Sequence, residues 1–143
     1  MRLWHKDLIE LLPRQQLLGQ WRECCLIAKN IQEKGTPGHI LVNKVMDYPI
    51  QHFITYTQYV VNEMIYRGYK VDTSRFKLYA SGGDIKALVS RERLFENWHN
   101  TRYLIQCYLN LQEKYDCSGI SKEEWKPIQD CAERKMNDYC CIK

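Results

Sequence analysis

The chain has 143 residues, 45% of them apolar and 12% aromatic, a balance that supports one folded domain with a real core and excludes a disordered one. No apolar run reaches the length of a membrane span, and Lys6, Asp7 and Glu10 break up the opening residues in a way no signal peptide does. The net charge of +4 is unevenly spread: residues 1–35 carry six Lys/Arg against four Asp/Glu, residues 36–100 eight against six, and residues 101–143 seven against seven. The excess in the first two-thirds suits a polyanionic partner without demanding one.

Met1-Arg2-Leu3-Trp4-His5 opens the chain, and Leu3, Trp4, Leu8 and Ile9 are residues that pack, so the start is expected to be tied down. A bulky second residue such as Arg2 favours retention of the initiator, which makes Met1 the first residue of the mature chain. An α-amine titrates at about 8, against about 10.4 for a lysine, so a useful fraction is neutral and nucleophilic at neutral pH.

Leu11 to Gly35 predicts an amphipathic helix of about six turns. Pro13 suits its first turn, where a missing N–H costs nothing, and Gly35 suits the residue just past its end. Leu17, Trp21, Cys24, Ala28 and Ile31 form the apolar stripe, flanked by Leu18 and Cys25. Gln16, Gln20, Glu23 and Asn30 fall on the polar face, with Arg22 at its edge. Glu23 sits mid-helix, far from either end of the helix dipole, so its surroundings depend on whether Arg14, Arg22 or the amino terminus comes near it.

Thr36-Pro37-Gly38 is a turn. His39 to Met46 reads as a short helix, because Asn43 and Lys44 break a strand alternation. His39 itself reads either as a surface histidine or as a residue facing a site. Asp47-Tyr48-Pro49 marks the cap and start of a second long helix ending at Gly68, with Ile50, Phe53, Ile54, Val60, Val61, Met64 and Ile65 on its buried side. Tyr69 to Gly83 has no clean period, and Ser81-Gly82-Gly83 lacks the spacing of a nucleotide-binding loop. Arg67, Lys70, Arg75, Lys77, Lys86, Arg91 and Arg93 crowd this middle region, as a solvated surface or as phosphate contacts. Asp84 is placed to cap a helix through Leu94, and a longer helix follows from Glu96 to Tyr115. Trp98, Tyr103, Leu104, Cys107, Tyr108 and Leu111 lie on the apolar side of that helix, and His99, Asn100 and Arg102 are polar groups between them. Ser121 and Glu124 form a capping box that opens a last helix carrying Trp125, Ile128, Cys131 and Met136. The whole is an all-α, compact, single-domain helical bundle over residues 1–143.

Seven cysteines, with no C-x-x-C among them, fit a reduced, cytoplasmic protein with no metal better than a disulfide scaffold. Cys117, Cys131, Cys140 and Cys141 are the one set that would hold a metal instead, although their spacing is unlike that of known zinc sites.

The run Gln15-Gln16-Leu17-Leu18, then Trp21-Arg22-Glu23, with Met1-Arg2-Leu3 upstream, resembles the start of the pyrimidine-dimer DNA glycosylases of the endonuclease V type. The likeness is strongest over residues 1–35 and extends through about residue 72, where Tyr66-Arg67-Gly68-Tyr69 fits again. It implies a DNA repair glycosylase with an associated lyase activity at abasic sites, acting on double-stranded DNA with a damaged or modified base, and needing no cofactor. It implies that Met1 supplies the nucleophilic amine and Glu23 the catalytic carboxylate, while Arg2 and Arg22, then Gln15 and Arg14, grip the DNA. His39 is a further candidate DNA contact, and a monomer is expected. Leu26 stands where the family often has another basic residue and Gln16 where a His is often seen, and the family's aromatic, basic tail is matched only poorly by Trp125-Lys126 and Tyr139. These departures bear on the choice of lesion. Two other classes of reading use the same residues: a non-catalytic nucleic-acid-binding module working through the basic middle, and a protein-interaction domain working through its aromatic patches.

Overall fold

The computed structural model describes residues 1–74, Phe76 and residues 88–141. The first five residues run extended, and their side chains set the fold. Leu3, Trp4, Leu8, Ile9 and Leu12 are all buried, so this short opening segment supplies a large part of the core. His5 caps the 3-10 helix η1 (Lys6–Leu11), its Nδ1 accepting from the Asp7 N–H at 3.1 Å.

Helix α1 (Arg14–Lys34) begins after Pro13 and ends at Gly35, whose φ of 74° lets its N–H bond back to the Ile31 carbonyl. Leu11, expected in this helix, belongs to η1. The buried row is Leu17, Gln20, Cys24, Ile27, Ala28 and Ile31. Gln20 was expected on the wet face and is instead inside, which turns the buried stripe towards the 20-24-27-31 row. Trp21, expected in the stripe, lies half-buried with its ring 6.4 Å from that of Phe76.

Turns and the 3-10 helix η2 (Asn43–Asp47) occupy the place of the expected 39–46 helix. Helix α2 (Ile50–Tyr66) follows with Pro49 as its cap residue, so Asp47 ends η2 rather than capping α2. Phe53, Ile54, Tyr56, Val60 and Met64 are buried, whereas Ile65, expected inside, is 57% exposed because it lies about 100° round the helix from Met64. Arg67 ends α2 by tying it to η1: Nε bonds Glu63 at 2.8 Å, and Nη1 and Nη2 donate to the Leu12 and Glu10 carbonyls at 2.8 and 3.1 Å. Arg91 makes a second tie through Glu10 and the Lys6 carbonyl, and lies 4.4 Å over the Tyr59 ring. Two members of the basic middle are therefore internal ties. Lys70 and Arg93 are exposed, and Arg75, Lys77, Lys86, Ser81-Gly82-Gly83 and the proposed Asp84 cap lie outside the described residues.

Residues 91–98 form successive turns, where helices were expected to 94 and from 96. Phe95 at φ 47° and Asn97 at φ 73° are left-handed, which no continuous right-handed helix tolerates. Packing holds Phe95 there, its ring lying 4.8–5.8 Å from Trp98, His99, Tyr48 and Tyr56. Asn100 then caps helix α3 (Thr101–Asp116), accepting from the Tyr103 N–H at 2.9 Å. The Ser121–Glu124 capping box opens helix α4 (Lys122–Cys141) as expected, with Ser121 Oγ accepting from the Glu124 N–H at 3.2 Å.

Helix α1 packs on α2 and α3 on α4, and η1 touches both α2 and α4. The opening segment thus forms the seam of an all-helical fold, with no strand among the described residues.

Candidate active site

A chain start outside any helix or sheet must find hydrogen-bond partners among side chains. Here three helices supply them. From α1, Glu23 accepts the Arg2 N–H at 2.9 Å through Oε2, and its Oε1 lies 3.9 Å from the Met1 amine. One turn earlier Gln20 accepts the Trp4 N–H at 2.7 Å and donates to the Arg2 carbonyl at 2.9 Å. From α2, the Tyr56 hydroxyl lies 2.6 Å from the Trp4 carbonyl and 2.8 Å from Gln20 Oε1. From α3, Tyr103 donates to the Leu3 carbonyl. Just beyond, the Lys6 N–H donates to His99 Nδ1 at 3.0 Å.

Accessibility falls steeply across this network. The side chains of Met1 and Glu23 are 15% and 33% exposed, whereas Gln20 is 1% and Tyr56 0% exposed. The amine and the acid stand at an open rim over a dry floor. Two features then decide what chemistry the rim can support. Burial pushes the Cys24 and Cys107 thiols up, so both stay protonated and neither is a nucleophile near neutral pH. Burial likewise holds the Tyr103 and Tyr56 hydroxyls protonated, so they act as donors to the opening segment.

The structure brings Met1, Arg2 and Glu23 together, with Arg22 next to Glu23 but pointing to solvent, and leaves Arg14, Gln15 and His39 apart from them. Arg2 is half-buried: its Nη1 lies 4.0 Å from Cys107 Sγ and its guanidinium 5.5 Å over the Trp4 ring. Arg22 is exposed beside Glu23 and makes no ion pair among the described residues. Arg14 and Gln15 lie on the exposed first turn of α1, where the Arg14 N–H donates to Glu124 at 2.8 Å and a hollow of about 420 Å³ opens beside Gln16 and Gly119. His39 sits in the turn after α1, its Nδ1 accepting from the Leu41 N–H at 3.2 Å, and has no contact with the Met1 cluster. A second hollow, of about 630 Å³ between Tyr48, His52, Val89, Arg93 and Asn97, shares no lining residue with Met1 or Glu23. Among the described residues no three His, Cys, Asp or Glu side chains gather as a metal site would require, and the Cys140 and Cys141 side chains lie outside them.

Gln20, Tyr56 and Tyr103 were not found from sequence. The signal that exposes them is the unpaired backbone of an apolar, extended chain start, which requires buried polar partners on whatever packs against it.

The fold and the site define a small all-helical protein whose chain start and one carboxylate lie together at a partly exposed surface. The chain belongs to the pyrimidine dimer DNA glycosylase family, whose model matches residues 1–77. It is accordingly, in class, a DNA repair glycosylase, with damaged DNA as its substrate. The matched stretch holds Met1, Gln20, Glu23 and Tyr56 but not Tyr103. No curated protein and no solved structure matches the chain.

Proposed function

We propose that the chain excises a damaged base and then nicks the strand, with the Met1 amine as nucleophile and Glu23 as the proton-transfer group. The observation that carries this reading is the single carboxylate that accepts the Arg2 N–H and lies 3.9 Å from the Met1 amine. The neutral amine attacks C1′ of the deoxyribose as the glycosidic bond breaks and its electron pair leaves with the base. Loss of an amine proton and cleavage of C1′–O4′ give a protonated imine, with Glu23 delivering the proton that O4′ takes up. The imine acidifies the C2′ proton, whose removal expels the 3′ phosphate and breaks the strand. A primary amine and one acid suffice for both steps. Arg22, exposed and unpaired among the described residues, is the first candidate for a flanking phosphate. The family points to pyrimidine dimers as the lesion, and reaching C1′ in a duplex requires a distorted strand.

Borohydride reduction of the protein with an abasic-site duplex tests the reading. It predicts a covalent adduct on the Met1 peptide, lost when the amine is acetylated and strongly reduced by Glu23→Gln. An adduct on an internal lysine would overturn the role of Met1. Salt-sensitive duplex binding with no adduct would leave a binding module instead.

A further inference from the structure

We propose that Gln20 is a positioning residue that fixes the chain start at the height from which its amine meets Glu23; this rests on the reading of Met1 and Glu23 as the reacting pair. The Trp4 nitrogen can only donate, so the Gln20 atom 2.7 Å from it is the amide oxygen. The amide nitrogen then faces two acceptors, the Arg2 carbonyl at 2.9 Å and Glu23 Oε2 at 3.5 Å. One planar group therefore holds residues 2 and 4 of the opening segment and reaches the carboxylate itself. Its own rotation is stopped by the Tyr56 hydroxyl, 2.8 Å from the same oxygen, and by burial at 1% exposure. Three residues along α1 separate Gln20 from Glu23, which puts both side chains on one side of the helix against the opening segment.

Gln20 touches neither substrate nor the amine nitrogen, so its loss is expected to slow the reaction without weakening DNA binding. The experiment uses the full chain in excess over an abasic-site duplex and measures the single-turnover trapping rate, the duplex dissociation constant by anisotropy, and the melting curve. Gln20→Met keeps the volume and removes every hydrogen bond, and is expected to lower the trapping rate about 10- to 100-fold, the scale of a misplacement near 1 Å, with the dissociation constant unchanged. Tyr56→Phe frees the amide oxygen on one side and is expected to lower the rate by a smaller factor in the same direction. If Gln20→Met fails to fold, Tyr56→Phe decides. Folded variants that trap at the wild-type rate, or that lose rate and affinity together, overturn the positioning role while Met1 and Glu23 stand. A wild-type chain that forms no adduct overturns both readings.

Discussion

The opening segment is held by two polar clusters a few residues apart, and they are built to opposite ends. Around Met1 to Trp4, Glu23 and Gln20 accept or donate with ordinary partners at 2.7–2.9 Å, and the acid stays open to water. Around His5 and Lys6 the polar groups His5, Lys6 and His99 are buried. The Lys6 ammonium donates to the Leu94 and Glu92 carbonyls at 2.8 and 3.1 Å, with Lys6 7% exposed, and burial lowers its basicity. Burial likewise lowers His5 to about 4 and holds His99 well below the usual histidine range. His99 Nδ1 accepts from Lys6, so its neutral ring carries the proton on Nε2, which is buried without a partner. A polar group buried at a cost anchors; a polar group left at the rim can exchange protons with a substrate.

That contrast breaks most sharply at Glu23. Glu23→Gln is expected to lower single-turnover cleavage of an abasic duplex by at least about 100-fold while the melting temperature barely moves, because the proposed proton transfer is lost and only a part-exposed group is changed. His99→Ala should do the reverse. It empties a ring packed among His5, Tyr56, Phe95, Trp98 and Tyr103 and strands the Lys6 N–H, costing about 3–4 kcal/mol in urea denaturation.

Acid sharpens the same point without a mutation. Histidines held below their ordinary pKa bind fewer protons folded than unfolded, so stability is complete above about pH 6.5 and falls as pH drops below it. For His5 alone the loss approaches about 3 kcal/mol by pH 4, read from denaturation midpoints across that range. A flat stability curve between pH 6.5 and 4 would sink the claim that this cluster is buried. The smallest effect belongs to the rim's exposed cation: Arg22→Ala should leave stability within about 0.5 kcal/mol. It should reduce the slope of log affinity against log salt by about 0.9.

The meeting of Met1, Arg2 and Glu23 was legible in the sequence, since an ordered motif and the chemistry of an α-amine both point to them, and what lies beneath them was not. The helical fold, the Gly35 stop and the Ser121–Glu124 capping box were readable because they depend on neighbours a few residues away. Gln20 was not, since helical periodicity sorts residues by polarity, and a buried amide looks like a wet one until the opening segment is in place. The break at Phe95 and Asn97 was hidden for a similar reason: aromatic packing from α2 and the turn before it, not the local sequence, holds that backbone left-handed. Arg67 and Arg91 read equally as solvated surface or as phosphate contacts and are braces, because their partners, Glu10 and backbone carbonyls in or beside η1, lie more than fifty residues away.

One hydroxyl carries a consequence for how the molecule can be divided. Tyr103 grips the Leu3 carbonyl from α3, beyond the stretch that the family model covers. A fragment cut after the recognisable half would keep Met1 and Glu23 and surrender one of the hands that steady the chain start. The half with no family signature is thus harnessed mechanically to the chain start, and a chimera that replaced it would have to supply a donor at that same spot.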